Sequence, residues 1–75
     1  MRAYVLISTE TGRVNDLVQS LRKLPGVQAA DVVAGPYDIV AVLEQTDTRD
    51  LGHVVMNDIH GLPGLKHTTT LVAIG

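Results

Sequence analysis

The sequence contains no cysteine, no phenylalanine and no tryptophan, and only two tyrosines. Without cysteine there is neither a disulfide framework nor a zinc-thiolate centre. Positive charge is also in short supply. Six Lys and Arg stand against eight Asp and Glu, for a net charge of −2. The six (Arg2, Arg13, Arg22, Lys23, Arg49 and Lys66) are scattered along the chain, so there is no electrostatic footprint for nucleic acid. Long apolar runs are missing too. None approaches the roughly 18 residues of a membrane span. The run Ala3–Ile7 is too short for the apolar core of a signal peptide. These absences predict a cytoplasmic protein with no membrane contact and no direct contact to nucleic acid.

What remains is aliphatic. Hydrophobic residues make up 45% of 75 residues, and nearly all of them are Val, Leu, Ile and Ala. A chain of this length forms one small domain and on folding alone buries only roughly 60% of its unfolded surface. That is more aliphatic surface than one small core needs, which points to self-association.

Residues 2–9 read as a strand that is apolar on both parities, with Ala3, Val5 and Ile7 on one and Tyr4 and Leu6 on the other. Val14, Leu17, Val18, Leu21 and Leu24 then follow the stripe of an amphipathic helix. Thr11 is its expected N-cap, and Pro25-Gly26 its stop. Val27–Ala34 and Ile39–Leu43 read as two strands joined by the tight turn Gly35-Pro36-Tyr37-Asp38. Asp47 or Thr48 caps a second helix with the stripe Leu51, Val54, Val55, Ile59 and Leu62, and Gly61 is its expected stop. Leu65–Ile74 closes the chain as a strand.

Leu24-Pro25-Gly26-Val27 returns as Leu62-Pro63-Gly64-Leu65 half a chain later, each copy ending a helix and starting a strand. Two β-α-β units in series give the order βαββαβ. This is the ferredoxin-like α+β fold, a four-stranded antiparallel sheet with two helices on one face. Two helices cover one sheet face, yet the strands are apolar on both, and no third layer is encoded. A second copy of the same sheet is the simplest cover, so the fold is expected to dimerise through its sheet.

The turn is the strongest candidate site. Backbone N–H groups near Gly35 suit a carboxylate and the Asp38 carboxylate suits an ammonium group, which together describe a small zwitterion. Such residues also make ordinary hairpin turns, with Asp38 bonded to its own turn and Tyr37 packed at an interface. Thr68 and Thr70 share one face of the last strand and Thr69 takes the other. His53, His60 and His67 recur at intervals of seven. Two helical turns separate the first two by about 10 Å, too far for one metal. No nucleophile has a base partner at site-like spacing, so catalysis is not supported and no cofactor or metal is expected. The lack of a Cys-x-x-Cys loop argues against a metallochaperone, and Thr11-Gly12-Arg13-Val14 is only a shadow of an acylphosphatase phosphate cradle.

The order strand, helix ending Leu-Pro-Gly-Val, strand, Gly-x-Tyr-Asp turn, apolar strand, helix ending Leu-Pro-Gly and Thr-x-Thr strand resembles one family. It is the ligand-binding (RAM) domain of the Lrp/AsnC transcriptional regulators, and the resemblance covers Arg2 to Ile74. It implies sheet-to-sheet dimers, rings of dimers (commonly octamers, with decamers the alternative) and an amino-acid effector held where dimers meet. It places Gly35 and Asp38 in the turn that holds the effector's polar end, Tyr37 as a wall, and Thr68 and Thr70 as hydroxyls completing the pocket. Regulators of this family carry an N-terminal DNA-binding domain. Here Met1 starts the first strand directly, so residues 1–75 are expected to be a single effector-binding domain without one. Pro36 departs from the polar residue expected in the turn, and Thr69 from the charged one frequent in relatives. The expected function is an oligomeric amino-acid-binding module that senses an amino acid or co-assembles with full-length relatives. A small dimeric oxygenase or isomerase and a purely structural oligomerisation partner are the alternatives.

Overall fold

The computed structural model describes Met1–Gly75 in the order β1 (Arg2–Thr9), α1 (Val14–Arg22), β2 (Val27–Val32), β3 (Ile39–Glu44), α2 (Thr48–His53, continued as a π-helical segment Val54–Ile59) and β4 (Leu65–Val72). The four strands form one sheet in the order β2-β3-β1-β4, with every neighbouring pair antiparallel. The ferredoxin-like βαββαβ fold is therefore as the sequence reads. No helix is long and apolar enough to cross a membrane.

The sheet alternates strictly along its central strands. Ala3, Val5 and Ile7 of β1, and Ile39, Ala41 and Leu43 of β3, are fully buried beneath the helices. Leu17, Val18 and Leu21 of α1 and Leu51, Val54, Val55 and Ile59 of α2 meet them from above. Fully burying one such Leu or Ile contributes about 1.5–3 kcal/mol, so this single cluster dominates the stability of the fold. The opposite parity, Tyr4 and Leu6 of β1 and Val40 and Val42 of β3, is only half-buried and forms an open second face.

Three details of the sequence reading change. The cap of α1 is Arg13 rather than Thr11, and no side chain caps it. Thr11 and Gly12 belong instead to a turn in which the Arg13 N–H donates to the Glu10 carbonyl at 3.0 Å, with Gly12 at φ +80°. Next, β2 ends at Val32 and β4 at Val72, each short of the expected Ala34 and Ile74. The link between β2 and β3 is accordingly a longer loop, 33–38, closed by the Val33 N–H donating to the Asp38 carbonyl at 2.9 Å. The second helix, in turn, is not α-helical throughout. Val54 and Ile59 lie five residues apart, a spacing that a 3.6-residue turn swings to different faces. The wider π turn, seen in the bond from the His60 N–H to the Val55 carbonyl, lets Val54, Val55 and Ile59 all reach the core. Asp47 caps this helix as expected, its carboxylate accepting the Asp50 N–H at 2.9 Å.

The two Leu-Pro-Gly echoes are alike in position but not in physics. Gly64 is held at φ +88°, in the left-handed region. Gly26 has ordinary backbone but no space, because an added Cβ would lie 2.5 Å from Val54 Cγ2 and 2.8 Å from Gln45 Nε2. Gly26→Ala must push a buried β-branched side chain and is expected to cost about 1–3 kcal/mol in urea unfolding. Gly52→Ala, in a helix and with nothing within 4 Å, is expected to stabilise by up to about 1 kcal/mol in the same measurement.

Candidate functional site

The loop between β2 and β3 is held to the rest of the sheet at its C-terminal end. The Asp38 N–H donates to the Ile7 carbonyl at 2.9 Å. Asp38 Oδ2 accepts the Thr9 N–H at 2.8 Å and, more weakly, the Thr9 hydroxyl at 3.4 Å. These contacts fall where the register of β1 against β4 shifts, between Ser8 and Thr9. The Thr9 N–H points to the β3 side, where the ladder ends at the Ile7–Ile39 pair, so it has no ladder partner and the carboxylate supplies one. Asp38 is thus a structural acceptor with one oxygen committed, while Oδ1 makes no hydrogen bond within the chain.

The tip of the loop is open. Gly35 sits at φ +155° and is exposed, with nothing near its missing Cβ, so backbone conformation rather than crowding calls for glycine there. The N–H groups of Gly35 and Tyr37 donate to no acceptor in the chain. Tyr37 is half-buried. Its side chain reaches across β1 to β4, where its hydroxyl meets the Thr69 hydroxyl at 3.1 Å.

The threonines of β4 divide between the two sheet faces as their parity requires. Thr68 pairs with Ile7 and Thr70 with Val5, which places both on the helix-covered side, whereas Thr69 pairs with Leu6 on the open side. Thr68 is half-buried, its hydroxyl 3.0 Å from His60 Nε2, and Thr70 is exposed. Of the five expected site residues, then, Gly35, Tyr37 and Asp38 cluster on one loop. Thr68 and Thr70 lie on the far face of the edge strand, and none of the hydrogen bonds of the loop reaches them. The residues that do touch the loop, Thr9 and Thr69, escape sequence reasoning. Thr69 is legible there only as the odd member of a Thr-Thr-Thr run, and Thr9 only once the strand register is known.

The rest of the open face is apolar in the middle and charged at one end, with Asp31 opposite Val40 on its β2 edge. Arg2 Nε lies 3.3 Å from Glu44 Oε2 across the β1–β3 pair, both side chains about half exposed. The Tyr4 phenol, and after it the Glu44 carboxylate, raise the Arg2 guanidinium above its ordinary value. Tyr4, Leu6, Val40 and Val42 lie between this pair and the Tyr37–Thr69 contact, with Leu71 49% exposed beside them. A shallow depression lined by Arg49, Gly52, His53, Met56 and Asn57 marks the outer side of α2, away from the loop residues.

The antiparallel βαββαβ sheet with its anchored loop is a small ferredoxin-like domain, and comparison with known proteins gives the family. The Lrp/AsnC ligand binding domain matches residues 2–75, and the chain belongs to that family. Among solved structures, TTHA0845 from Thermus thermophilus superposes with a TM-score of 0.94 at 38% identity, covering 99% of this chain and 92% of that one. FFRP-DM1 superposes with a TM-score of 0.92 at 30% identity, covering 97% of each. Escherichia coli AsnC has the same fold, with a TM-score of 0.92 at 21% identity. An HTH-type transcriptional regulator of Pyrococcus abyssi is 27% identical over 70 residues, which are 93% of this chain but 44% of that protein. The chain therefore spans less than half the length of the HTH-type regulators it matches.

The Thr9–Asp38 contact predicts a graded stability response. Asp38→Ala leaves the Thr9 N–H unpaired and is expected to cost about 1–3 kcal/mol in denaturant unfolding. Asp38→Asn keeps an acceptor oxygen at the same place and is expected to cost less than half of that.

Proposed function

We infer that this chain is an amino-acid-binding regulatory module that acts through self-assembly and not through catalysis. The observation that carries this reading is the chemistry of the loop. Asp38 is held by Thr9 with Oδ1 still unpaired, and on the same loop the N–H groups of Gly35 and Tyr37 donate to no acceptor in the chain. One fixed anionic acceptor and free backbone donors match the ammonium and carboxylate ends of an amino acid. Family membership supports the same reading, as does the neighbouring structure of the regulator NMB0573 from Neisseria meningitidis, which is a complex with L-Met. That neighbour is 18% identical, so it supports the class of ligand and not its identity.

Gly35, Tyr37 and Asp38 hold the polar end of the effector. Thr68 and Thr70, on the edge strand, contribute hydroxyls where subunits meet. The open sheet face pairs with the same face of a second copy, since Tyr4, Leu6, Val40 and Val42 otherwise remain half exposed. Dimers then join into rings, octamers by the family pattern. A ligand bridging two dimers stabilises the assembly that contains the bridge, which couples effector concentration to oligomeric state. Through such assembly the module modulates transcription together with full-length Lrp/AsnC relatives in the cytoplasm, and it needs no cofactor.

Native mass spectrometry with each of the twenty amino acids tests this directly. One amino acid is expected to add mass at one copy per subunit and to shift the population between dimers and rings. A ring that ignores every amino acid would leave only a structural assembly role. Val42→Asp, which puts a charge in the middle of the open face, is expected to convert the assembly to monomers in sedimentation velocity while leaving the helical circular dichroism unchanged. An unaltered oligomer would place the subunit interface elsewhere.

A further inference from the structure

The hydroxyl of Thr69 is the only contact that β4 makes with the site loop through a side-chain hydrogen bond, and it comes from the opposite sheet face to Thr68 and Thr70. The loop is tied down at one end, where Asp38 is bonded to Ile7 and Thr9. Its exposed tip contains Gly35, which imposes no side-chain restraint of its own. Between them Tyr37 contributes a backbone N–H to the site and a long side chain that lies across β1. Only the far end of that side chain is fixed by a specific partner.

We propose that Thr69 is a positioning residue for the amino-acid site: by bonding the Tyr37 hydroxyl at 3.1 Å it holds the phenol across the open face and with it Tyr37, whose N–H has no acceptor within the chain. The inference rests on the effector-binding reading above. A phenol held by its hydroxyl loses little rotamer freedom when ligand binds, whereas a loose one must be ordered at that moment. Thr69 also lies on the face that a second subunit covers, so a single hydrogen bond joins the wall of the ligand site to the dimer surface. The midpoint of the Thr-Thr-Thr run thereby has a role distinct from its neighbours, one set by strand parity alone.

The test is a double-mutant cycle on Tyr37 and Thr69 in the full chain, read by titration of whichever of the twenty amino acids the wild type takes up in native mass spectrometry. Thr69→Val keeps the shape and β-propensity of the side chain and removes its hydroxyl. It is expected to weaken uptake about 2- to 10-fold, the range of one net hydrogen bond. Tyr37→Phe is expected to match it, and the double variant to be no worse than either single one. Thr69→Ser, which restores the hydroxyl, is expected to return affinity to within about twofold of wild type. Uptake by Thr69→Val indistinguishable from wild type would overturn the positioning role and leave the effector site standing. A Thr69→Val loss that serine does not restore, accompanied by a lower melting temperature, would overturn it in favour of simple packing. Wild type that takes up none of the twenty would overturn the effector reading and this inference together.

Discussion

Two helices cover one face of a sheet that is apolar on both, and most of the properties of this domain descend from that mismatch. On the covered side Ala3, Val5, Ile7, Ile39, Ala41 and Leu43 are sealed under α1 and α2. On the other side the same two strands present Tyr4, Leu6, Val40 and Val42 to solvent, with no element left to cover them. An antiparallel sheet that is meant to be wet on one face carries polar residues at every second position, and this one does not. The domain thus leaves an aliphatic sheet surface half exposed.

The candidate site sits beside that surface rather than in a deep cavity. A loop of this length with an exposed glycine at its tip would be loose if it were held only by the strands it joins. Two contacts with other strands prevent this. Asp38 replaces a missing ladder partner of Thr9 beyond the end of β3, and Tyr37 reaches over β1 to Thr69. The end of the β1–β3 ladder and the candidate site are therefore one feature, since the Thr9 N–H left unpaired beyond Ile7 is what fixes the carboxylate. One carboxylate oxygen is used for structure and the other makes no hydrogen bond within the chain. The loop is linked, through one hydroxyl pair, to the open sheet face.

Much of the fold was legible in the residues, because it depends on local chemistry. The stripe from Val14 to Leu21, the Asp47 cap and the Pro-Gly stops mark the helices, and the unbroken aliphatic run Ile39–Leu43 marks a central strand. Boundaries were less legible where a tertiary contact outweighed a local preference. Thr11 is a good capping residue, but the turn set by Gly12 places the helix start at Arg13 instead. The π-helical segment follows from the need to bury Val54, Val55 and Ile59 together, which becomes apparent only when the sheet beneath them is in place. The echoing glycines look equivalent in sequence, yet one is required by φ and the other by the approach of Val54.

The sequence by itself determined the element order, the βαββαβ topology, the aliphatic excess on the second sheet face and the concentration of polar groups at Gly35–Asp38. Those follow from periodicity and turn chemistry, which act between residues a few positions apart. Only the tertiary structure decided which threonine meets the loop and which atoms of Asp38 remain free. Both depend on how β1 registers against β3 and β4. A shift of one residue in an antiparallel register turns every side chain to the opposite face, and nothing local to Thr68-Thr69-Thr70 distinguishes its middle member from its neighbours.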